Sequence, residues 1–276
     1  MKPALNDVTI CAIDCANPEL AIRAIQKSLI ECDFKEAAIF TNSKKDIPKI
    51  KCIEINEINS KDSYSKFILK ELHKYIETSH VLVIQWDGYV INGNQWDSTY
   101  LEYDYIGAKW HWHQDGMNIG NGGFSIRSKK LLEVISSDHF PFISKMNEDD
   151  QICRFYRKEL EQKFLLRFPS EDLADQFSYE RSLPNQSTFG FHGLFNLWRY
   201  IDDEEMIKIA DQFHPNIYNS VEFFELTIQY FTMRKFKPFN SLYGLIKSHC
   251  HKDEIYKKIH LLTNDINFTN WFLANY

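Results

Sequence analysis

The feature that most narrows the fold is an alternation in the first 90 residues. Residues 8–13 (Val-Thr-Ile-Cys-Ala-Ile) form a β-rich run that ends at Asp14. Residues 18–32 open with Pro18, suited to a first helical turn, and place Ile22, Ile25 and Leu29 on one helical face. A second strand is expected over 37–40, running into Thr41-Asn42-Ser43, and a third over 52–55. Residues 61–77 read as an amphipathic helix, with Ile68, Leu72, Tyr75 and Ile76 at i, i+4, i+7 and i+8. Val81-Leu82-Val83-Ile84 is a continuous apolar strand of the kind buried on both faces. Strands alternating with helices predict an α/β fold with a parallel, doubly covered sheet. Ligands of such sheets bind beyond the carboxyl ends of the strands. Asp14, Thr41 and Gln85-Trp86-Asp87-Gly88 all fall at those ends.

Composition removes several classes. The chain has 276 residues, 44% hydrophobic and 25% charged, the balance of a soluble globular protein rather than a disordered or fibrous one. Its net charge of −6 argues against nucleic acid as a partner, which needs clustered positive charge. The six cysteines match no zinc or disulfide spacing and are expected to be reduced thiols. The amino terminus lacks the apolar run of a signal peptide, and no stretch reaches the roughly 18 apolar residues of a membrane span. A cytoplasmic protein is expected, with peripheral contact at the inner face of a membrane left open.

Five segments carry candidate chemistry. Asp87 follows a buried strand and precedes Gly88, where a carboxylate holds a divalent cation beside a phosphate or simply makes a turn. Gly120-Asn121-Gly122-Gly123 frees backbone amides to approach a phosphate or sugar, yet matches neither a Walker loop nor a dinucleotide fingerprint. Asn147-Glu148-Asp149-Asp150 precedes a helical pattern, as a cap or as a general base whose pKa is raised by its neighbours. His192 lies among glycines and aromatic residues in Phe189-Gly190-Phe191-His192-Gly193 and can ligate a metal. Lys109-Trp110-His111-Trp112-His113, if extended, puts both indoles on one face, as a sugar platform or as packing.

In order and spacing, these segments resemble a small, largely bacterial family of GT-A-type glycosyltransferases. The resemblance rests on Gln85-Trp86-Asp87-Gly88, on Tyr103-Asp104-Tyr105-Ile106-Gly107-Ala108-Lys109-Trp110, on Gly120-Asn121-Gly122-Gly123-Phe124-Ser125-Ile126-Arg127, on Asn147-Glu148-Asp149 and on Phe189-Gly190-Phe191-His192, and spans about residues 8–195. It implies a GT-A-like, Rossmann-type nucleotide-binding sheet over 1–195, with a helical carboxyl-terminal extension over 196–276. It implies transfer of a sugar from a nucleotide-diphosphate donor, UDP-linked by preference, to a hydroxyl of a glycan or glycolipid acceptor such as lipopolysaccharide. Asp87 matches the second position of the family's Asp-x-Asp metal motif, while Gln85 replaces the first. The resemblance makes Asp87 and His192 ligands of Mn²⁺ or Mg²⁺, and Asp149, then Glu148, the base of an inverting reaction. Asp14, Thr41, Gln85, Trp86, Asp87, Gly88, Asn121, Gly122 and Gly123 become donor-binding. Trp110 and Trp112 become acceptor-binding.

Two other readings compete. Gln85 in the metal motif favours a non-catalytic nucleotide- or glycan-binding module. Asp87, His111, His113 and His192 together would suit a metal-dependent hydrolase. The carboxyl-terminal helices are open to three uses: completing the acceptor site, forming a homo-oligomer, or docking on a membrane through residues such as Tyr230, Phe231, Arg234, Lys235, Phe236 and Lys237.

Overall fold

A computed structural model describes residues 2–183 and 186–276. The chain divides into two compact units, Met1–His192 and Gly193–Tyr276. The first is α/β. Its strands β1 (Ala4–Ile13), β2 (Asp33–Thr41), β3 (Lys51–Glu54) and β4 (His80–Ile84) join in the order β3-β2-β1-β4, all parallel. Helix α1 (Pro18–Glu31) connects β1 to β2, and α2 (Lys61–Lys70) lies between β3 and β4. Every residue of β4 is buried, as its unbroken apolar run requires. Cys11, Ile13, Ala38, Phe40, Val81 and Val83 pack on one face against Ile68, Leu72 and Ile76. The amphipathic stretch is one helix only as far as Lys70; a 3₁₀ turn over Leu72–Tyr75 continues it.

The rest of the sheet departs from the all-parallel expectation. After the short β5 (Tyr89–Val90) comes β6 (Tyr105–Ile106), and the loop from 107 to 123 turns the chain back into β7 (Phe124–Ser128). Strand β7 pairs antiparallel with both β4 and β6, so the six-stranded sheet is mixed. The partnership of Ile84 with Phe124 has a direct consequence. Residues that follow β4 and residues that precede β7 emerge at the same edge of the sheet.

Helices α3 (Lys129–Ser136), α4 (Glu148–Asp150) and α5 (Arg157–Phe164) follow, with a π turn over Gln151–Phe155 that joins the last two. Leu131, Ile135, Phe140, Ile152, Tyr156 and Leu160 build a second apolar cluster with Tyr105 and Trp110. After α6 (Glu171–Phe177), the two-residue strands β8 (Ser178–Tyr179) and β9 (Gly190–Phe191) join β5 in a small sheet ordered β5-β9-β8. The second unit is helical: α7 (Asp203–Ala210), α8 (Val221–Thr232), α9 (Phe236–His249), α10 (Lys252–Thr263) and α11 (Ile266–Asn275). Phe223, Leu226, Phe239, Leu242, Ile246, Ile259 and Phe272 are fully or almost fully buried in it. Among the described residues no helix is long and apolar enough to cross a membrane. The class expected from the pattern, an α/β sheet flanked by helices with a helical carboxyl-terminal region, is the class observed.

Two glycines make opposite tests of this packing. A Cβ on Gly107 would lie 1.7 Å from the carbonyl oxygen of Gly120, a backbone atom with no room to move. Gly107→Ala is therefore expected to cost about 3 kcal/mol in urea unfolding. A Cβ on Gly244, inside α9, meets nothing within 4 Å. Gly244→Ala is expected to add about 0.5–1 kcal/mol by removing backbone freedom from the unfolded chain.

Candidate active site

Pairing register assembles the site. Tyr89 of β5 faces Phe191 of β9, and Phe191 faces Tyr179 of β8. Asp87, just before β5, His192, just after β9, and Glu180, just after β8, are thus brought together. The His192 backbone N–H donates to the Tyr179 carbonyl at 2.9 Å, which holds the three segments in line. His192 Nε2 lies 3.3 Å from Asp87 Oδ1, and Nδ1 lies 3.1 Å from Glu180 Oε1. Gln85 Oε1 is also 3.3 Å from Nε2, while the Gln85 amide donates to the Tyr64 hydroxyl at 3.2 Å. Burial opposes a charge on the His192 ring, but Asp87 and then Glu180 outweigh it and raise the pKa to about 10. The ring lies between two carboxylates that favour its protonated form. Burial likewise pushes the Glu180 carboxyl up, and the hydrogen bond and charge of His192 bring it below its ordinary value.

The glycine segment shapes the other wall. The Gln85 backbone N–H donates to the Gly123 carbonyl at 2.8 Å. A Cβ on Gly123 would sit 2.1 Å from His192 Nε2, so the imidazole lies directly over this glycine. Asn121 takes a positive φ of 64°, which asparagine tolerates better than most residues. Its amide nitrogen is 3.1 Å from His192 Nδ1.

One residue earlier, the Gly122 N–H donates to Asp149 Oδ2 at 2.8 Å. Asp149 opens the helix that runs through the π turn, and its other oxygen accepts the Asp150 N–H at 2.9 Å. Burial first, and the neighbouring Glu148 second, raise its pKa to about 7. Glu148 is spent differently. It is 4% exposed, and its Oε1 is 3.0 Å from Nη2 of the fully buried Arg127. Its backbone N–H and its Oε2 both meet the hydroxyl of Ser65 in α2.

Most of the residues expected at the donor side share this edge. Asp14 stands after β1 and Thr41 ends β2; Gln85, Trp86, Asp87 and Gly88 follow β4; Asn121, Gly122 and Gly123 precede β7. Asp14 folds its carboxylate onto the N–H groups of Ala16 and Asn17 at 2.8 and 2.6 Å. Thr41 is completely buried, and its Oγ1 has no hydrogen-bond partner. Two expectations are corrected. Trp110 is a core residue, 6% exposed, because its ring fills the space beside Gly120, where a Cβ would come within 2.1 Å of the indole. The segment turns rather than running extended, and only Trp112, 52% exposed, offers a ring to solvent. The hydrolase set is not assembled either. His111 and His113 pack their rings on the Trp pair, and among the described residues no group of three or more His, Cys, Asp or Glu is placed to hold a metal ion. Glu180 and Arg127 complete the site without having been singled out. Only the distance of Arg127 from the glycines, within Gly122-Gly123-Phe124-Ser125-Ile126-Arg127, hinted at the latter.

Residues 48–192 match the family described as a protein of unknown function, DUF5672, and the chain belongs to that family. No curated protein matches the sequence. Among solved structures, a mannosyltransferase from Pyrobaculum calidifontis in complex with GDP-Man and Mn²⁺ aligns over 96% of this chain and 82% of its own, at 11% identity and a TM-score of 0.42. A glycosyltransferase involved in glycosylation of the PBCV-1 major capsid aligns over 67% and 91%, at 13% identity and 0.42. The galactosyltransferase LgtC, with donor and acceptor sugar analogues, aligns over 67% and 86%, at 12% and 0.39. Scores and identities of this size carry no argument about what the chain does.

The raised Asp149 pKa links stability to pH. The folded state keeps a proton that the unfolded chain releases near the ordinary value of 3.8, so stability falls as pH rises from there to about 7 and then levels off. Asp149→Asn removes that dependence. Its melting temperature is expected to rise relative to wild type between pH 5 and pH 8; a difference that stays flat would give Asp149 an ordinary pKa.

Proposed function

We propose that this chain is a glycosyltransferase that moves a sugar from a nucleotide-diphosphate donor to an acceptor hydroxyl with inversion. The observation that carries the reading is the division of labour between two consecutive glycines. Gly123 lies against the Asp87–His192 cluster, and Gly122 donates to Asp149. The Asp87–His192 cluster, which would take the diphosphate, and the Asp149 carboxylate, with a pKa raised to about 7, therefore face one short backbone segment at the carboxyl edge of the sheet.

Each half answers one demand of the chemistry. An acceptor hydroxyl must lose its proton as its oxygen attacks the anomeric carbon, and Asp149 would take that proton. The bond to the diphosphate breaks as the new glycosidic bond forms on the opposite face of the sugar. Glu148 is not the base in this reading, because Arg127 holds it. The Asp87 and Gln85 oxygens would hold a divalent cation, and His192 Nε2 would join them once the ion displaces the proton that Asp87 and Glu180 favour on the ring. Glu180 on Nδ1 would fix the ring's orientation. A Mn²⁺ or Mg²⁺ ion held there would neutralise charge that develops on the leaving diphosphate. Gln85 thus keeps an oxygen directed at the position where an aspartate stands in the Asp-x-Asp motif.

Asp14 and the unpaired Thr41 hydroxyl at the ends of β1 and β2 would meet the nucleoside, with UDP the preferred form. Trp112 would stack on the acceptor sugar, a glycan or glycolipid such as lipopolysaccharide. In the carboxyl-terminal unit, exposed Phe236 and Trp271, with Arg234, Lys235 and Lys237 close to Phe236 in sequence, would suit a peripheral contact at the cytoplasmic face of a membrane.

The test is a thermal-shift screen of UDP- and GDP-sugars with and without Mn²⁺, followed by transfer to candidate acceptors. One donor is expected to raise the melting temperature of wild type and of Asp149→Asn, but not of Asp87→Ala. Asp149→Asn is expected to lower turnover by about 10³-fold without losing donor binding. Wild-type turnover is expected to rise with pH through about 7, as Asp149 loses its proton. Absence of any nucleotide-induced shift would refute the donor site, and a product of retained configuration would refute Asp149 as the base.

A further inference from the structure

Arg127 is the largest of the completely buried side chains. Its Nη2 is 3.0 Å from Glu148 Oε1, its Nε donates to Ser125 Oγ at 3.0 Å, and its guanidinium lies 5.2 Å from the centre of the Tyr105 ring. Its Nη1 has no hydrogen-bond partner. Burying such a pair costs desolvation that the attraction need not repay, and well-packed apolar residues often serve stability as well or better. Strand β7 does not need the pair for its place, since β4 and β6 hold its backbone from both sides. The location of the pair is the informative part. Glu148 precedes Asp149 in the chain. Gly122, which donates to Asp149, accepts from Arg127 Nη2 at 3.4 Å, and a Cβ on it would fall 2.1 Å from Glu148 Oε1.

The charged and titratable groups around Asp149 come from three elements. Glu148 and Asp150 lie on its own helix with Cys153 one turn on, Arg127 is on β7, and Tyr105 is on β6. Arg127 is the cation of this set. Glu148 makes the Asp149 carboxylate harder to form, and Arg127 makes it easier.

We propose that the buried Arg127–Glu148 pair is a positioning device for Asp149: it holds Gly122 against the carboxylate, and its two opposite charges set the pH at which Asp149 gives up its proton. The inference rests on the assignment of Asp149 as the base. Neither residue touches substrate in this scheme; both act through Asp149.

The experiment follows the Asp149 carboxyl carbon by NMR in protein labelled with ¹³C-aspartate, the resonance being identified by its loss in Asp149→Asn. Glu148→Gln keeps the shape of the side chain and removes its charge. It is expected to lower the titration midpoint of Asp149 by about one pH unit or more. Arg127→Met leaves Glu148 and Asp149 to share protons without a counter-charge and is expected to raise the midpoint by a similar amount. Arg127→Lys keeps the charge and is expected to stay closest to wild type. Opposite movements in the first two variants establish the proposal, because a merely structural pair lowers the melting temperature in both and moves neither midpoint. A midpoint unchanged or raised in Glu148→Gln overturns it, and that variant decides the question even if Arg127→Met does not fold. The measurement uses no sugar donor, so its failure is separate from failure of the transferase reading, which shows as absence of donor binding in wild type. Where turnover is measurable, the acid limb of its pH profile is expected to move in the same two directions.

Discussion

The site depends on how closely backbone approaches side chain at Gly122 and Gly123. A Cβ at either position would come within 2.1 Å of a functional atom, the Glu148 carboxylate in one case and the His192 imidazole in the other. A side chain at either glycine would force the Glu148 carboxylate or the His192 ring out of its place. With the segment bare, groups from α4, β9 and the turn after β4 can close on it from different sides. The antiparallel return of β7 beside β4 makes this possible, since it delivers the glycines to the edge where Asp87 leaves the sheet.

Around that bare segment the charges are arranged in two groups. In the first, the His192 ring stands between the carboxylates of Asp87 and Glu180. In the second, one guanidinium faces Glu148, with Asp149 next along the chain, so one carboxylate is neutralised and the other is left to titrate. Both groups lie where water is scarce and attraction between charges is stronger than at the surface. The consequences differ. In the first, Asp87 and Glu180 favour the proton on His192, whereas in the second, burial and Glu148 favour the proton on Asp149.

Sequence patterning reached the parts of this arrangement that depend on local order. The apolar run before Asp87, the helix that opens at Pro18 and the glycine segment all follow from spacing and residue type, and the structure has them. What patterning did not reach is set by long-range pairing. Glu180 meets His192 because the two-residue strands β8 and β9 lie side by side in parallel, and strands that short leave no periodic signal. The antiparallel direction of β7 is hidden too, because its pairing with β4 joins segments far apart in the chain. Trp110 looked available because alternation in an extended segment would expose it. Its burial is decided by Gly120, ten residues further on, whose missing side chain makes the space that the indole fills. Arg127 stood in plain view at the end of the glycine segment, but charge on a strand ordinarily signals solvent, and nothing in the sequence says that Glu148 waits beneath it.

The different fates of Glu148 and Asp149 follow from helix geometry. Successive residues on a helix point about 100° apart, so two neighbouring carboxylates cannot serve the same partner. Glu148 turns inward to Arg127 and Ser65, and Asp149 turns to the Gly122 amide. The helix is held at this rotation from both ends. Gln151 grips the preceding loop through the Ile143 N–H and the Ile143 and Met146 carbonyls, and the π turn closes behind it with the bond from Tyr156 N–H to the Gln151 carbonyl. A π turn inserts one extra residue and re-aims what lies on either side of it. Here that lets the first turn face Gly122 and Arg127 while Ile152, Tyr156 and Leu160 still reach the apolar cluster. An unbroken α-helix through 148–164 would have to give up one of the two faces, and the side it gave up would carry either Asp149 or the core.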